Sequence, residues 1–278
     1  MASTQQQLRL GEDETGGARA QAVRGTGRGK SRASSGRRKV TYGFHLVEGR
    51  MLHGMEDVHV AEFRHLDGGN EVGLFAVFDG HSGADVATYL REHLFDNILN
   101  EPDFWTDTLE AIRRAYHRTD RKLLKKTASN GDDNEDGGCG VQQRDEAAAR
   151  GRRVDGVTVI LINGETGVVA NVVGDSRAVL CGARRRGEAA VRGPRAAPGA
   201  RRHREPRRIR HRDPRTSATT PVLVALASDG LWKVMSNQEA VDEVRDTGDA
   251  RKAAARLVDE AVRRGSKDDV SCIVVKLH

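Results

Sequence analysis

The fold of this chain is decided by residues 72–83, which read Val-Gly-Leu-Phe-Ala-Val-Phe-Asp-Gly-His-Ser-Gly. The apolar run is typical of a strand, and polar and glycine residues break it from Asp79 onward. Residues 84–99 then carry apolar side chains at helical spacing. This order of strand, turn and helix places the carboxylate of Asp79 and the imidazole of His81 where a strand ends.

Outward from this stretch, the pattern changes repeatedly between strand and helix. Two β-rich runs at 157–162 and 168–173 flank Asn-Gly-Glu-Thr-Gly, which is a hairpin signal. The apolar pattern predicts further strands at 222–227 and 271–277 and further helices at 103–126, 238–245 and 250–263. The last of these helices has its apolar residues on one face, so we expect it to pack on a sheet.

Composition limits the class of protein. At 278 residues, with 37% hydrophobic residues, the chain is long enough for one sizeable domain or two small ones. No apolar run exceeds seven residues, whereas a membrane-spanning helix needs about 20. The N-terminus lacks a secretory signal and is too acidic for a transit peptide, and three cysteines without CxxC spacing predict neither disulfides nor a zinc site. We expect a soluble intracellular protein without membrane contact, cytoplasmic or nuclear or both.

The net charge of +6 is unevenly distributed. Residues 182–220 contain thirteen Arg, no Lys and three acidic residues, a net charge of +10, so the rest of the chain carries −4. This segment has no interleaved aromatic residues and no nucleic-acid motif, so bulk electrostatic attraction is the most that it would supply. We therefore expect no nucleic-acid partner.

The chain divides into an N-terminal arm and one domain. Residues 1–39 are rich in Gly, Ser, Arg and Gln, and so few apolar residues predict a disordered basic arm. Within it, the run from Arg28 to Lys39 is either a nuclear localisation signal or a solvated stretch. Residues 40–278 have the pattern of a globular domain, interrupted by atypical segments at 129–155 and 182–220.

Four acidic signals lie beside strand-like apolar runs. They are Met55-Glu56-Asp57, Asp79-Gly80-His81, Ser228-Asp229-Gly230 and Lys267-Asp268-Asp269. Each one taken alone is more typical of a turn, because Asp-Gly is a common turn sequence. Several carboxylates that converge without Cys or His form an all-oxygen site, which suits magnesium or manganese rather than zinc.

Six landmarks, taken in order, resemble the motif series of the type 2C metal-dependent serine/threonine protein phosphatases, especially their plant branch. They are residues 42–50 (Tyr-Gly-Phe-His-Leu-Val-Glu-Gly-Arg), 55–57, 73–81, 174–180 (Gly-Asp-Ser-Arg-Ala-Val-Leu), 226–235 (Leu-Ala-Ser-Asp-Gly-Leu-Trp-Lys-Val-Met) and 266–275 (Ser-Lys-Asp-Asp-Val-Ser-Cys-Ile-Val-Val). The resemblance implies an α+β fold of two stacked antiparallel β-sheets flanked by helices, with two metal ions at one end of the sandwich.

The resemblance also implies roles for particular residues. It makes Asp57, Asp79, Asp229 and Asp268 direct ligands of two Mg²⁺ or Mn²⁺ ions. It further makes Gly80 a ligand through its carbonyl, Glu56 a ligand through water, and Asp175 a residue of an additional, weaker site. The ions would activate a water for attack on phosphorus.

Two further residues are implied in catalysis. His81 is placed to protonate the leaving Ser or Thr oxygen, and the guanidinium of Arg50 to bind the phosphate. By spacing alone, the favoured interpretations are a cap of the following helix for His81 and a solvated loop residue for Arg50. The reaction implied is hydrolysis of phosphoserine and phosphothreonine in proteins, by an enzyme that we expect to be a monomer.

The chain departs from the family pattern in three places. Arg153-Val154-Asp155-Gly156 replaces the Gly-Ser-Thr-Ala that the family places before the strand at 157–162. The Arg-rich residues 182–220 replace several family strands, so we expect central strands to be missing there. One extra valine lies at 172–173, where an insertion reverses the side-chain alternation unless a bulge absorbs it. The alternative function is therefore an inactive phosphatase-like protein or the product of a decayed gene.

Overall fold

The computed structural model describes residues 24–31, 39–129, 153–171, 174–181, 207–210 and 222–278. The strands of these residues are β1 (Arg24–Lys30), β2 (Val40–Val47), β3 (Asp57–Leu66), β4 (Asn70–His81), β5 (Arg153–Ile162), β6 (Thr166–Asn171), β7 (Arg177–Cys181), β8 (Arg207–Arg210), β9 (Val222–Ala227) and β10 (Val270–Leu277). The α-helices are α1 (Asp85–Leu99), α2 (Thr108–Ser129), α3 (Asp229–Trp232), α4 (Asn237–Val244) and α5 (Ala250–Arg263). Predictions for residues 1–23, 32–38, 130–152, 172–173, 182–206 and 211–221 concern residues outside the described ranges.

The strands form two antiparallel sheets. The first sheet has the order β1-β2-β10-β9-β7, and the second has the order β3-β4-β5-β6-β8. The α+β prediction of two stacked sheets flanked by helices is confirmed. Because neighbouring strands run in opposite directions, the start of β3, the end of β4 and the start of β5 meet at the same end of the second sheet.

Three apolar cores hold the layers together. The core between the sheets contains Phe75 and Val77 of β4, facing Leu226 of β9 and Ile273 of β10. Alternate residues of a strand point to opposite faces, so the remaining apolar side chains of β4 pack outward against α1 and α2. The other outer core joins the first sheet to α3, α4 and α5. Each fully buried side chain of this size contributes about 1.5–3 kcal/mol.

The helices lie close to their predicted positions, with one clear difference. The helix predicted at 103–126 begins only at Thr108, because residues before it form turns, such as the one closed by the bond from Phe104 N–H to the Glu101 carbonyl. Helix α4 begins at a capping box in which Ser236 and Glu239 satisfy each other's backbone N–H groups. No helix of the described residues is long and apolar enough to span a bilayer.

The prediction of a disordered arm at 1–39 is wrong for residues 24–30. They form the edge strand β1, which pairs with β2 along its whole length. Gly25, Gly27 and Gly29 lie opposite Leu46, Phe44 and Tyr42, and a Cβ on any of them would lie within 2.9 Å of these side chains. Glycine therefore lets large side chains of β2 cover the edge strand. Composition missed this strand, because backbone pairing rather than apolar burial holds it.

Composition also predicts interruptions of the sheets at two further ranges where the structure has strands. Residues 207–210 lie in the Arg-rich segment that was expected to lack sheet structure, yet they form β8 and pair with β6. Residues 153–155 were assigned to an atypical interruption, but they begin β5 and pair with the end of β4. In both cases a neighbouring strand supplies the backbone partners, and strand propensity is weaker than that context.

Candidate metal centre

A row of three carboxylates crosses the second sheet where the core between the sheets ends. Asp57, at the start of β3, lies directly opposite Asp79 on β4, and Asp79 lies opposite Asp155 on β5. Directly opposed residues of antiparallel strands share a face, here the one that packs on the first sheet. All three residues are buried. The row therefore puts three acidic groups between the sheets.

The first sheet contributes two more carboxylates to this end. Asp229 is the first residue of α3, directly after β9, and is buried. Asp268 precedes β10 and is half-buried. The backbone pairing of β9 with β10 holds these two segments side by side, as in the bond from Ser228 N–H to the Ser271 carbonyl.

Lys233 neutralises part of this negative charge. Its ammonium lies 2.7 Å from Asp229 Oδ2 and 2.8 Å from Asp268 Oδ2. Partial burial raises the pKa of Asp268, but the hydrogen bond and positive charge of Lys233 outweigh it and hold that pKa below its usual value. A cation therefore already bridges two of the predicted ligands.

Asp269 ties together the loops around the centre. Its Oδ1 accepts a hydrogen bond from the Gly49 N–H, and its Oδ2 accepts one from the Glu56 N–H, both at 2.7 Å. The Glu56 carboxylate in turn accepts a hydrogen bond from the Gly83 N–H, at 2.7 Å. Glu56 thus lies beside the turn that follows β4. These bonds fix the loop before β3 against the loop before β10.

His81 lies at the mouth of the centre. Its Nδ1 lies 3.5 Å from Asp79 Oδ1, and its Nε2 lies 4.0 Å from Asp155 Oδ2. About a third of the side chain is exposed, at 37%, so the imidazole is accessible to solvent. Gly80, the other predicted residue on this strand, lies between Asp79 and His81 and opposite Val154.

The two remaining predicted residues lie at the rim. Arg50 is exposed, and its N–H donates to the Lys267 carbonyl at 2.7 Å, which anchors its loop beside Asp268. Asp175 is exposed in the turn before β7. Its negative charge acts on Asp229, so it lies on the same side of the molecule. The structure therefore brings all nine predicted residues to one end of the sandwich.

The pKa values of the acidic groups reflect how close these groups lie to one another. Burial raises the pKa of Asp79 well above its usual value, and the charges of Asp57, Asp229, Asp268 and Asp155 raise it further. Burial also raises the pKa of Asp57. Hydrogen bonds from Ser228 and Ser271 oppose this increase, and the charges of Asp269 and Asp229 add to it. Like charges this close oppose each other's ionisation. A bound cation would therefore stabilise the ionised form of these carboxyl groups.

The donor set fits a hard divalent cation. It consists of carboxylate and carbonyl oxygens, which are the ligands of Mg²⁺ and Mn²⁺. Asp57 Oδ2 is buried and has no hydrogen-bond partner among the described residues, so an acceptor is available inside the centre. Within those same residues, no three His, Cys, Asp or Glu side chains could hold an ion as they now stand. Binding would therefore require side-chain adjustment, including release of Lys233.

Three residues of the centre were not predicted from the sequence. Asp269 and Lys233 lie inside quoted landmarks, but nothing in their spacing shows that they bind Glu56 and Asp268. Asp155 lies in a stretch identified only as a departure from the family. A signal was present in each case, since a charged residue beside a buried strand needs a partner. The identity of that partner depends on the fold.

Solved structures support the fold. The catalytic domain of the serine threonine protein phosphatase PstP, in complex with two manganese ions, matches 86% of this chain and 98% of its own, with a TM-score of 0.59 and 17% identity. Serine-threonine phosphatase 2C from Toxoplasma gondii matches 92% of this chain and 100% of its own, with a TM-score of 0.59 and 15% identity. At these identities, the likeness establishes the architecture alone.

Sequence comparison establishes the family. The family model described as protein phosphatase 2C matches residues 47–219 and 211–270. "Probable protein phosphatase 2C 58" of Arabidopsis thaliana is 41% identical over 91% of this chain and 92% of its own length. "Probable protein phosphatase 2C 44" of Oryza sativa subsp. japonica is 41% identical over 91% of this chain and 82% of its own. The chain belongs to the protein phosphatase 2C family.

Proposed function

We propose that this chain hydrolyses phosphoserine and phosphothreonine in proteins at a binuclear Mg²⁺ or Mn²⁺ centre. The observation that carries the proposal is the convergence of carboxylates from both sheets at one end of the sandwich. Asp57 and Asp79 come from the second sheet, and Asp229 and Asp268 come from segments next to the first. Membership of the family supports the reaction class.

The chain's own residues would share the work of holding the ions. Asp57, Asp79, Asp229 and Asp268 are the proposed direct ligands. Gly80 would add its carbonyl, Glu56 a contact through water, and Asp175 an oxygen at an additional site. Divalent cations held there would supply Lewis acidity, which lowers the pKa of a bound water and neutralises phosphate charge near neutral pH.

His81 and Arg50 are the proposed catalytic side chains. The imidazole of His81 is partly exposed beside Asp79, where it can donate a proton to the leaving Ser or Thr oxygen. Arg50 projects at the rim from a loop anchored to Lys267, where its guanidinium can bind two phosphate oxygens at once. The substrate is therefore a phosphorylated protein segment. We expect it to meet a monomeric enzyme in the cytoplasm, the nucleus or both.

The test is hydrolysis of a phosphothreonine peptide by the purified full-length protein. Turnover is measured with Mn²⁺, with Mg²⁺ and with a chelator, and the Asp79→Asn variant is measured alongside. We expect turnover only with metal, and a loss of at least about 100-fold in Asp79→Asn, since the variant removes a ligand charge from the centre.

The matched control is Asp67→Asn. Asp67 is exposed in the turn at the opposite end of the β3–β4 hairpin, so the same substitution there should leave turnover unchanged. Circular dichroism establishes that each protein is folded. Folded wild-type protein without metal-dependent turnover would contradict the proposal and would favour the inactive phosphatase-like alternative.

A further inference from the structure

Asp155 is a buried carboxylate of the centre that the proposed function does not use. It lies on β5 directly opposite Asp79, in the same row as Asp57. Its side chain is 4% exposed. The family motif Gly-Ser-Thr-Ala is uncharged along this stretch, which here reads Arg153-Val154-Asp155-Gly156. Asp155 therefore adds one negative charge to a centre that is already acidic.

The position of Asp155 is closely defined by its neighbours. An added Cβ on Gly174 would lie 1.9 Å from the carboxyl carbon of Asp155, so the carboxylate packs directly against the backbone of the Gly174-Asp175 turn. Gly174 also has a φ of +95°, a conformation that favours glycine. On its other side, Asp155 Oδ2 lies 4.0 Å from His81 Nε2. The carboxylate is thus enclosed between the end of β4 and the turn that precedes β7.

Asp57, Asp79 and Asp155 lie side by side on neighbouring strands, and all three can be ionised together only if a positive charge lies nearby. Carboxylates directly opposite each other on neighbouring strands destabilise a sheet, and burial strengthens their repulsion. Two observations point to a cation as the counter-charge. Asp155 lies directly opposite Asp79 in the strand register, so its carboxylate is next to a proposed ligand. Independently, Asp57 Oδ2 in the same row is buried without a hydrogen-bond partner among the described residues. This oxygen can therefore accept a bond from a ligand.

We propose that Asp155 is a further carboxylate of the metal centre, whose negative charge beside Asp57 and Asp79 strengthens the binding of divalent cations. Its role is to tighten the centre rather than to react with substrate. As a consequence, the metal-free protein is less stable than it would be without the Asp155 carboxylate. The inference rests on the proposed metal dependence of the enzyme.

The test measures Mn²⁺ binding directly. Metal-free full-length protein is titrated with Mn²⁺ in a calorimeter, and unbound Mn²⁺ is counted by electron paramagnetic resonance. The Asp155→Asn variant removes the charge while keeping the shape, and Asp155→Thr restores an uncharged residue of the family motif. We expect both variants to bind Mn²⁺ about 10- to 100-fold more weakly than wild type, the range typical of residues that support metal ligands.

The control is Glu71→Gln. Glu71 is a buried carboxylate on the same strand as Asp79, at its other end, and its neutralisation should leave Mn²⁺ affinity unchanged. The thermal midpoint of the metal-free protein is a second readout. It should rise in Asp155→Asn, because a repulsive charge is removed, and the increase caused by Mn²⁺ should shrink.

The outcomes separate the inference from the proposed function. If wild-type protein binds no Mn²⁺, the proposed function fails and the inference fails with it. If wild-type protein binds Mn²⁺ and Asp155→Asn binds it equally well, only the inference is overturned, and Asp155 serves merely as a partner of His81. An Asp155→Asn variant that is unfolded without metal would also overturn it, since Asp155 would then stabilise the metal-free fold.

Discussion

Lys233 provides a positive charge inside the metal-free centre. Its ammonium joins Asp229 to Asp268, and these two residues come from different segments of the chain. Partial burial lowers the pKa of Lys233, but the hydrogen bonds and charges of the two carboxylates outweigh it and raise that pKa above its usual value. The lysine therefore stays charged and competes with any cation that uses the same two carboxylates.

Replacing Lys233 by Met should tighten metal binding. The substitution keeps most of the side-chain length but removes the competing charge, so we expect Mn²⁺ affinity to increase by roughly 3- to 10-fold. The metal-free protein should lose only about 0.5–1 kcal/mol of unfolding free energy, because Lys233 is 53% exposed and solvent screens its ion pairs. Calorimetric Mn²⁺ titration and urea unfolding measure the two effects.

Lys122→Met is the matched control for that prediction. Lys122 is an exposed residue of α2, and α2 packs on the outer face of the second sheet. Its loss changes the net charge equally but leaves the centre untouched. Unchanged or weaker Mn²⁺ binding by Lys233→Met would show that the lysine does not compete with the metal.

The edge strand β1 shows how an element can form without apolar side chains of its own. Its residues alternate between exposed and half-buried, and all three half-buried positions are glycines. Large residues of β2 fill the space that the glycines leave. The strand also covers the edge of the first sheet, because β2 would otherwise present unpaired backbone groups to solvent.

Gly27→Val should detach this strand. A Cβ at Gly27 would lie 2.5 Å from the ring of Phe44, so the substitution forces the ring or the strand to move. We expect a loss of about 1–3 kcal/mol in unfolding free energy, as for other overpacked positions. Amide hydrogen exchange should also become faster on the β2 edge that faces β1. Urea unfolding and exchange measured by NMR provide the two readouts.

Arg28→Ala is the control on the same strand. Its ion pair with Asp249 spans 3.9 Å between well-exposed groups, and exposed pairs contribute less than about 1 kcal/mol. Equal effects of the two substitutions would argue that the glycine side of β1 has no special packing role.

At the scale of the whole molecule, the sandwich concentrates acidic side chains at one end. The apolar core between the sheets continues along β4 into the row formed by Asp57 and Asp79. Burial and neighbouring charges raise the pKa of Asp57 to about 7 and that of Asp79 to about 9. The fold therefore holds these carboxyls protonated at pH values where an unfolded chain would ionise them.

The stability of the metal-free protein should fall as the pH rises from 7 to 9. A carboxyl group whose pKa is higher in the folded than in the unfolded state binds more protons when folded, so each upward step in pH favours unfolding. Histidines with an ordinary pKa are largely neutral by about pH 8. Burial also raises the pKa of the Cys272 thiol, so Cys272 adds to the slope of Asp57 and Asp79 with the same sign. Thermal unfolding in chelator measures it.

Two comparisons check the cause of this slope. Saturating Mn²⁺ should flatten it, because the metal rather than protons then neutralises the carboxylates. Asp79→Asn should flatten it in chelator as well, since the variant has no proton to lose. A metal-free midpoint that rises with pH over this range would mean that the carboxyls ionise freely in the folded protein.

The sequence by itself determined the parts of the protein that depend on local pattern. The strand predicted at 222–227 and the helix predicted at 250–263 have those same bounds in the structure. Apolar periodicity reports directly on which side chains are buried. The landmarks also predicted the family, which the sequence comparison confirms. They named nine candidate site residues as well, and the roles of these residues stay predictions.

Only the tertiary structure decided the features that depend on partners distant in sequence. Strand β1 forms because its glycines pair with β2. Strand β8 forms because the edge of β6 provides its backbone hydrogen-bond partners. The register of β5 against β4 placed Asp155 opposite Asp79, which turned an apparent departure from a motif into part of the centre. Periodicity describes one segment at a time, whereas backbone pairing, register and charge balance are properties of two or more segments in contact.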